Sequence, residues 1–423
     1  MKKILLNCEN YLAAFEQVTE ILQYHQSLWR HKPFVQDDTP WQEDCRYAKL
    51  YQMLLNLSDD EVLKFNDEDY LVQWFQEHLA KYWSIDSWQV PISAYQPIEV
   101  AKFCDVGMPG RKKQQIEHFV GAFAPFYRRF EGNTHLKQAR LGVVDWCCGK
   151  GHLAAHLHRQ LGCFTLGLEY DEQLVAAGRA NAASIVNDDS LSEANSLNYE
   201  CVDVLKPIDD TLFSHIAWHT GLHACGDLHV ELLKKAVKLG HDAVIAPCCY
   251  HLVQTEQYQP LSIAAKRANL MLSKEDLRLA VLQTVTSGKR VKRLRQTELL
   301  WRTGFDLWYR ECKQLEHYTH QASLPKHWFS GQFVDFCHHL AELSKVRLPE
   351  HFDGQHYLDL AKIKMAKIKR IEFARLAFRP IMELWLLLDR VLYMHEQGYE
   401  VDLMTFCDVK LTPRNSLIVA RGI

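Results

Sequence analysis

An aspartate, two glycines and a glutamate stand at short intervals in the most strongly patterned stretch of the chain: Asp145, Gly149, Gly151 and Glu169. A short apolar run, Leu141 to Trp146, precedes the glycines, a helical pattern follows them, and a second apolar run ends on the glutamate. Glycines let the backbone approach a ligand closely, and the start of a helix offers unpaired N–H groups. A carboxylate about 20 residues further on can bind both hydroxyls of a ribose. The stretch therefore predicts a strand, turn, helix and strand that bind a nucleoside-containing cofactor.

The charge before the glycines indicates which cofactor to expect. The segment Gly149 to Ala154 also fits G-x-G-x-x-A, which is typical of dinucleotide binding. However, Asp145 would repel a pyrophosphate, whereas it suits a ligand with a positive ammonium or sulfonium group. We therefore expect S-adenosyl-L-methionine, with its amino-acid end near Asp145 and its ribose near Glu169, and with Cys147 in the same binding turn. A dinucleotide site and a unit without any ligand remain alternatives.

Strands and helices alternate beyond Glu169, which is typical of a doubly wound parallel sheet. The further strands are predicted at Asn198 to Val202, Ile216 to Leu222 and Asp242 to Pro247. In open sheets of this kind the ligand lies beyond the carboxyl ends of the strands. Asp203 directly follows the first of these strands, and we expect it near the adenine.

Histidines, cysteines and an aspartate follow the last two of these strands. The candidate catalytic residues are His223, Asp227, Cys248, Cys249 and His251, with Cys225 beside them and with His223 also assigned to the cofactor. Three roles are open: the thiols pack near the cofactor as small hydrophobic groups, a histidine oriented by Asp227 acts as general base, or the thiols and His251 bind zinc. Adjacent cysteines are poor paired ligands for one tetrahedral ion and no C-x-x-C is present, so we expect no metal.

The end of the chain predicts a return to the sheet. Arg379 to His395 is an apolar helical segment, and Val401 to Phe406 and Ser416 to Ala420 are two strands. We expect them to complete an α/β, Rossmann-like class I methyltransferase fold with a seven-stranded, mostly parallel sheet; an independent α/β tail is the alternative. The predicted segments are an N-terminal helical domain (1–100), the first part of the core (101–255), a mainly helical insertion (256–375), and the last helix and two strands (376–423).

Composition limits the partners. The chain has 423 residues, 24% charged residues and a formal net charge of −3, so any surface for a polyanion must be local. Two basic stretches lie in the insertion: Lys289 to Arg302 holds six Lys/Arg against one acid, and Lys362 to Arg379 holds seven against one. A solvated face and a phosphate-binding surface are both open, and the second makes RNA the expected partner. DNA is not expected as a partner.

Cysteine content and hydropathy indicate the compartment. Thirteen cysteines, an odd number, are expected to be reduced thiols rather than a disulfide framework. The apolar run near the start is three residues long, too short for a secretory signal, and no apolar stretch reaches membrane-spanning length. We therefore expect a cytoplasmic enzyme with no membrane partner.

Cations open the helix that leads into the central unit. Arg111, Lys112 and Lys113 follow a Pro-Gly turn, where positive charge opposes the helix dipole. Contact with a carboxylate or phosphate would favour cations there, and we assign Lys113 to cofactor binding; a solvated basic turn is the alternative.

Taken together, these segments resemble the family of methyltransferase-like protein twenty-five. The matching motifs are Lys112 to His118, Asp145 to His152, His223 to Asp227, Cys248 to His251, Leu387 to Tyr393 and Leu411 to Asn415. The resemblance covers about residues 105–255 and 380–423. The tRNA acceptor-stem ribose methyltransferases are similar at the glycine turn, the H-x-C-G segment and the double cysteine. The resemblance implies binding of S-adenosylmethionine, and it implies RNA, with tRNA as the expected kind, as the substrate.

Overall fold

A computed structural model of the chain describes residues 3–36, 39–79, 87–100, 107–131, 142–186, 196–282 and 289–422. The strands in these ranges are β1 Lys3–Leu5, β2 Ser87–Gln89, β3 Gly142–Trp146, β4 Thr165–Glu169, β5 Leu197–Cys201, β6 Ile216–Cys225, β7 Asp242–Cys248, β8 Tyr399–Thr405 and β9 Ser416–Gly422. The helices are α1 Tyr11–Tyr24, α2 Gln26–Trp29, α3 Ala48–Leu55, α4 Asp59–Lys64, α5 Glu68–His78, α6 Gly110–Glu131, α7 His152–Leu161, α8 Glu172–Val186, α9 Asp227–Leu239, α10 Ile263–Ala268, α11 Lys274–Leu277, α12 Lys289–Lys313, α13 Phe333–Leu343, α14 Gly354–Leu376 and α15 Arg379–Glu396.

Seven of the described strands form one sheet in the order β5-β4-β3-β6-β7-β9-β8. Neighbouring strands are parallel from β5 to β7, and β9 is antiparallel to both β7 and β8. The strand order reverses at β3, between β4 and β6, which is where sheets of this type bind their ligands. The predicted seven-stranded, mostly parallel sheet, completed by the final two strands, is confirmed. The predicted helical N-terminal region is also present.

The predicted strands differ from the observed ones mainly at their ends. Leu141, the predicted first residue of β3, lies outside the described residues. The largest difference is at β6, which continues past Leu222 to Cys225, with an irregular register against β7 at its end. This extension places Cys225 within the strand itself.

The chain forms two compact units. Unit 1 comprises Met1–Glu20, Ile85–Val281 and Ile381–Ile423, and unit 2 comprises Ile21–Ser84 and Leu282–Pro380. The four predicted segments are not tested by this division, because it groups stretches that are distant in sequence.

Unit 1 contains the seven-stranded sheet, whose hydrophobic core lies against α6 and α7. Phe119 and Phe123 of α6 and Leu153 and Leu157 of α7 are buried there at helical spacing. The ring of Phe123 meets that of Trp218 in β6 at 4.9 Å between centroids. These contacts fix α6 and the start of α7 at the strand ends that carry the candidate site.

Unit 2 has its own helical core. Trp301 and Phe305 of α12 pack with Phe333 and Phe336 of α13 in a cluster of buried aromatic rings. No helix in the described ranges of either unit has the length and apolar character needed to cross a membrane.

Candidate active site

The predicted site residues lie at or just beyond the ends of five parallel strands. Asp145 lies in β3, Glu169 ends β4, Asp203 follows β5, Cys225 ends β6 and Cys248 ends β7. Because parallel strands end at the same edge, this topology brings the five positions to one edge of the sheet.

The turn between β3 and α7 depends on residues in the left-handed region. Cys147, Gly149 and Gly151 have φ values of 57°, 59° and 73°. A Cβ on Gly151 would lie 2.2 Å from the hydroxyl of Tyr199, whereas a Cβ on Gly149 would meet nothing within 4 Å. Gly151 is therefore required by packing, and Gly149 leaves open space beside the backbone, as a bound ligand needs.

Asp145 is 1% exposed and is only partly hydrogen-bonded. The N–H of Ala154 in the first turn of α7 donates to its carboxylate, and its Oδ2 is buried without a hydrogen-bond partner among the described residues. Burial raises the pKa of Asp145 to about 8, against the opposing effect of the Lys112 charge. A buried carboxyl with a free oxygen is suited to a cationic ligand group.

Glu169 and Asp203 end their strands in different environments. Glu169 Oε2 accepts the N–H of Gly149 at 2.8 Å, so this carboxylate is tied to the glycine turn. Asp203 accepts the N–H of Leu205 at 3.1 Å and pairs with Lys206 at 3.1 Å, which holds the pKa of Asp203 below its usual value. The structure thus places Glu169 directly at the turn and Asp203 at the next strand end.

Helix α6 contributes Lys112, from the predicted basic run, and Gln115. Lys112 acts electrostatically on both Asp145 and His223. The assignment of Lys113 to cofactor binding stays a prediction. Gln115, one turn later, is 7% exposed and its Oε1 lies 2.9 Å from His223 Nε2. The i, i+3 spacing of the lysine and the glutamine on one helix face was the available signal.

His223 follows the predicted end of β6 with a φ of 72°. Burial lowers the pKa of this histidine, and the positive charges of Lys112 and Arg414 lower it further. A neutral imidazole can accept a proton, which is the property a general base needs. Its assignment as base stays a prediction.

Three thiols converge where β6 and β7 end. The Sγ atoms of Cys225, Cys248 and Cys249 all lie within 4.8 Å of one another, and the first two are 3.5 Å apart. The neighbouring thiols of Cys225 and Cys248 lower the pKa of Cys249. Burial separately raises the pKa of Cys147, in the glycine turn, to about 12. Every cysteine in the described part of the chain is a free thiol.

Asp227 and His251 share no hydrogen bond in the described part of the structure. Asp227 Oδ2 accepts the N–H of Gln254 at 2.7 Å, so the bond observed for this carboxylate goes to the backbone. His251 Nδ1 is buried and has no hydrogen-bond partner in the described ranges. The orienting role of Asp227 stays a prediction.

Arg414 joins the site from the loop between β8 and β9. Its charge acts on His223, Cys225 and Cys249. Its Nη2 donates to the Val281 carbonyl at 2.8 Å, while its Nε is buried without a partner in the part of the chain that the structure describes. The sequence marked this loop only through the family resemblance.

A comparison with protein-family models identifies part of the chain. Residues 111–256 match the model described as "Methyltransferase domain". This segment contains α6, the glycine turn, and the strand ends that carry His223 and the thiols.

Solved methyltransferase structures also match, with low overall similarity. The geranyl diphosphate C-methyltransferase of Streptomyces coelicolor A3(2) is 20% identical over 40% of this chain and 64% of its own, with a TM-score of 0.21. The magnesium protoporphyrin IX methyltransferase of Synechocystis PCC 6803 is 13% identical over 38% and 65%, with a TM-score of 0.24. Coclaurine N-methyltransferase is 10% identical over 56% and 61%, with a TM-score of 0.22.

The chain spans less than two thirds of each of these three proteins. All three were solved with S-adenosylhomocysteine bound. Because the TM-scores are low, the substrates of these enzymes carry no information about the substrate of this chain.

The residues at the turn fit S-adenosylmethionine. Asp145 offers an unpartnered buried oxygen to a cation, Gly149 leaves space beside the backbone, and Glu169 lies at the position from which a carboxylate reaches ribose hydroxyls. With the family match and the seven-stranded sheet, these observations make residues 111–256 the core of a class I S-adenosylmethionine-dependent methyltransferase domain.

Proposed function

We propose that the chain transfers a methyl group from S-adenosylmethionine to RNA, with tRNA as the first substrate to test. We also propose that it belongs with the family of methyltransferase-like protein twenty-five and acts in the cytoplasm, where its thiols stay reduced. The observation that supports RNA best is the basic first half of α12.

Five of the first seven residues of α12 are Lys or Arg, and its first turn contains no acidic residue. Arg293 and Arg295 are exposed and have no ion-pair partner in the described ranges. The side chains of Lys289, Arg290 and Lys292 lie outside the described residues. Positive charge at a helix start opposes the helix dipole, so bound phosphate would relieve an unfavourable arrangement.

The second basic stretch supports RNA less than its composition suggests. Arg370 donates to the Leu57 carbonyl at 2.9 Å and Arg375 donates to the Trp29 carbonyl at 3.2 Å. Arg379 pairs with Glu68. These arginines stabilise unit 2 internally, so the proposal rests on α12.

Methyl transfer needs little covalent chemistry from the protein. Bound S-adenosylmethionine supplies an electrophilic methyl group on a sulfonium. We assign Asp145 and Glu169 to holding the donor, and His223 to accepting the proton that the attacking group loses. Gln115 would orient the imidazole through the hydrogen bond to its Nε2.

The test is single-turnover transfer of labelled methyl groups to total RNA, total protein and a small-molecule extract of the same cells. We expect label in RNA, and RNA affinity that falls steeply with salt. Arg293→Glu with Arg295→Glu should weaken RNA binding and reduce the salt slope by about 1 per lost phosphate contact. The matched control is Lys266→Glu with Arg267→Glu, two exposed cations at the end of α10, which should leave both unchanged.

The alternative outcomes are distinct. Label in protein or in small molecules would identify a different substrate class and remove RNA from the proposal. Cofactor binding without any transfer would indicate a non-catalytic scaffold. An RNA affinity that does not depend on salt would exclude the basic half of α12 as the phosphate-binding surface.

A further inference from the structure

The three thiols at the ends of β6 and β7 are spaced for a metal ion. Cys225 Sγ and Cys248 Sγ are 3.5 Å apart, and Cys249 Sγ lies within 4.8 Å of both. Zinc bonds thiolate sulfur at about 2.3 Å, which puts two sulfurs of a tetrahedral site about 3.8 Å apart. The cluster therefore needs only small side-chain movements to surround one ion.

The backbone explains how adjacent cysteines can share a ligand sphere. In a regular strand Cys248 and Cys249 would point to opposite faces. Cys249 instead adopts a φ of 46°, in the left-handed region, which ends the strand alternation. Such a conformation costs about 1–3 kcal/mol in a non-glycine residue and persists where the surroundings impose it. The part of the sequence argument against zinc that rested on the adjacency of the cysteines does not apply to this geometry.

The two thiol-bearing loops are also cross-linked. The N–H of Gly226 donates to the Cys248 carbonyl at 3.2 Å, and Asp227 accepts the N–H of Gln254 at 2.7 Å. A Cβ on Gly226 would lie 2.0 Å from the Leu252 carbonyl oxygen, so the loops approach as closely as glycine permits. This contact holds Cys225 against the cysteine pair.

A candidate nitrogen ligand, His251, follows Cys249 by two residues and lies outside the group of three sulfurs that are within 4.8 Å of one another. His251 Nδ1 is buried and has no hydrogen-bond partner among the described residues, and a buried polar atom without a partner is costly unless a ligand satisfies it. Imidazole nitrogen is a preferred zinc ligand.

We propose that Cys225, Cys248 and Cys249 bind one zinc ion, and that the side chain of His251 turns toward these sulfurs to supply Nδ1 as the fourth ligand. Three thiolates and one Zn²⁺ give the site a net charge of −1, and binding releases the protons that the thiols still carry. Arg414 lies close enough to act electrostatically on Cys249, and this positive charge offsets the negative charge of the site.

The test measures metal directly in the full chain, purified under reducing conditions without a chelator. Elemental analysis should find one zinc per chain, and cobalt substitution should give thiolate-to-cobalt charge-transfer absorption. Cys225→Ser and Cys249→Ser should each abolish that absorption, and His251→Ala should weaken zinc binding by about tenfold or more.

Matched controls come from cysteines outside the cluster. Cys337→Ser removes a buried thiol in unit 2 and Cys201→Ser removes an exposed one, and both should keep one zinc per chain. Circular dichroism of each variant distinguishes loss of a metal ligand from loss of the fold. Cys225→Ser, Cys249→Ser and His251→Ala are three independent single variants, so the test remains decisive if one of them fails to fold.

Three results would overturn the proposal: no retained metal and no thiolate absorption with cobalt, unchanged binding in the folded Cys225→Ser variant, or a Cys225–Cys248 disulfide that forms equally with and without added zinc. None of these measurements involves RNA or methyl transfer, so the proposed function is tested independently.

Discussion

Asp145 is a buried carboxyl group, so it is either protonated or paired with a positively charged group of the cofactor. Its folded-state pKa of about 8 lies above the usual value because burial disfavours the charge. Between pH 4 and 8 the folded state therefore binds a proton that the unfolded state has released. This group contributes stability below that window and progressively loses it as the pH rises through the window.

A cationic ligand reverses this balance, so binding should release a proton. Near pH 7, calorimetric titration with S-adenosylhomocysteine in buffers of different ionisation enthalpy should show release of close to one proton per site. Asp145→Asn should abolish this release and weaken binding by about 1.5–3 kcal/mol, since a charge-assisted hydrogen bond is lost.

Asp203→Asn is the matched control for this titration. The pKa of Asp203 is already lowered by Lys206, so this carboxyl is ionised before binding and should not change the proton count. Equal proton release by the wild type and Asp145→Asn would show that the cation of the ligand lies elsewhere.

Single residues were predictable where chemistry and strand position agree. Asp145 and Glu169 were read from charge, glycine spacing and strand ends, and both lie at the turn. The basic run Arg111 to Lys113 was predictable, but a run of cations does not show which one acts on Asp145, and the structure shows this effect for Lys112. Arg414 was missed because its loop reaches the site only through the fold.

The two glycines in the turn between β3 and α7 have different roles. Both glycines have a positive φ, which costs an alanine about 1–2 kcal/mol. Only Gly151 is also packed against Tyr199, where an added methyl group would overpack the site by about 1–3 kcal/mol more. Gly149 faces open space instead.

We therefore predict that alanine at the two positions has opposite main effects. Gly151→Ala should lower the melting temperature more than Gly149→Ala, because only the first creates a clash. Gly149→Ala should lower S-adenosylhomocysteine affinity more than Gly151→Ala, because its Cβ enters the space beside the ligand-binding backbone. Thermal unfolding and calorimetric titration of both variants measure the two effects. If the same variant showed the larger loss of both melting temperature and S-adenosylhomocysteine affinity, the open space beside Gly149 would not be part of the ligand site.

Strand ends were the least predictable part of the elements. The predicted end of β6 at Leu222 stopped where the apolar run stops, but the strand continues to Cys225 through an irregular register. His223 and Cys249 adopt a positive φ without being glycine. Long-range contacts impose these conformations, and no local pattern reports them.

Unit 1 is assembled from three stretches of chain that are separated by the stretches of unit 2. The return of the last helix and two strands was predictable, because α15 and the strands carry clear apolar patterns. The grouping of residues 21–84 with residues 282–380 in unit 2 has no such signal, because it depends on contacts across some 200 residues. Contacts between Ile85–Val281 and Ile381–Ile423, the two longer stretches of unit 1, should therefore contribute strongly to the stability of this unit.

Asp389 in α15 makes such contacts. Its carboxylate is fully buried and accepts hydrogen bonds from the Tyr258 hydroxyl at 2.6 Å, the Leu261 N–H at 3.0 Å, and the Ser262 N–H and hydroxyl at 2.8 and 2.7 Å. Beside it, Arg390 donates to His229 at 2.7 Å. All of these partners lie more than 120 residues earlier in the chain, so the pair fastens the C-terminal stretch to the first part of unit 1.

We predict that Asp389→Asn destabilises unit 1 by about 3–5 kcal/mol, because the amide cannot accept all four hydrogen bonds and the buried Arg390, linked to Asp389 through the Tyr258 hydroxyl, loses a negative charge close by. Asp402→Asn is the control: this carboxylate is 40% exposed in a surface ion pair, whose loss should cost about 0.2–1 kcal/mol. Urea-dependent hydrogen exchange in peptides of β7 and β9 measures the stability of the sheet directly. If the two variants differ by less than about 1 kcal/mol, the buried pair does not hold the C-terminal stretch in place, and strand pairing alone must do so.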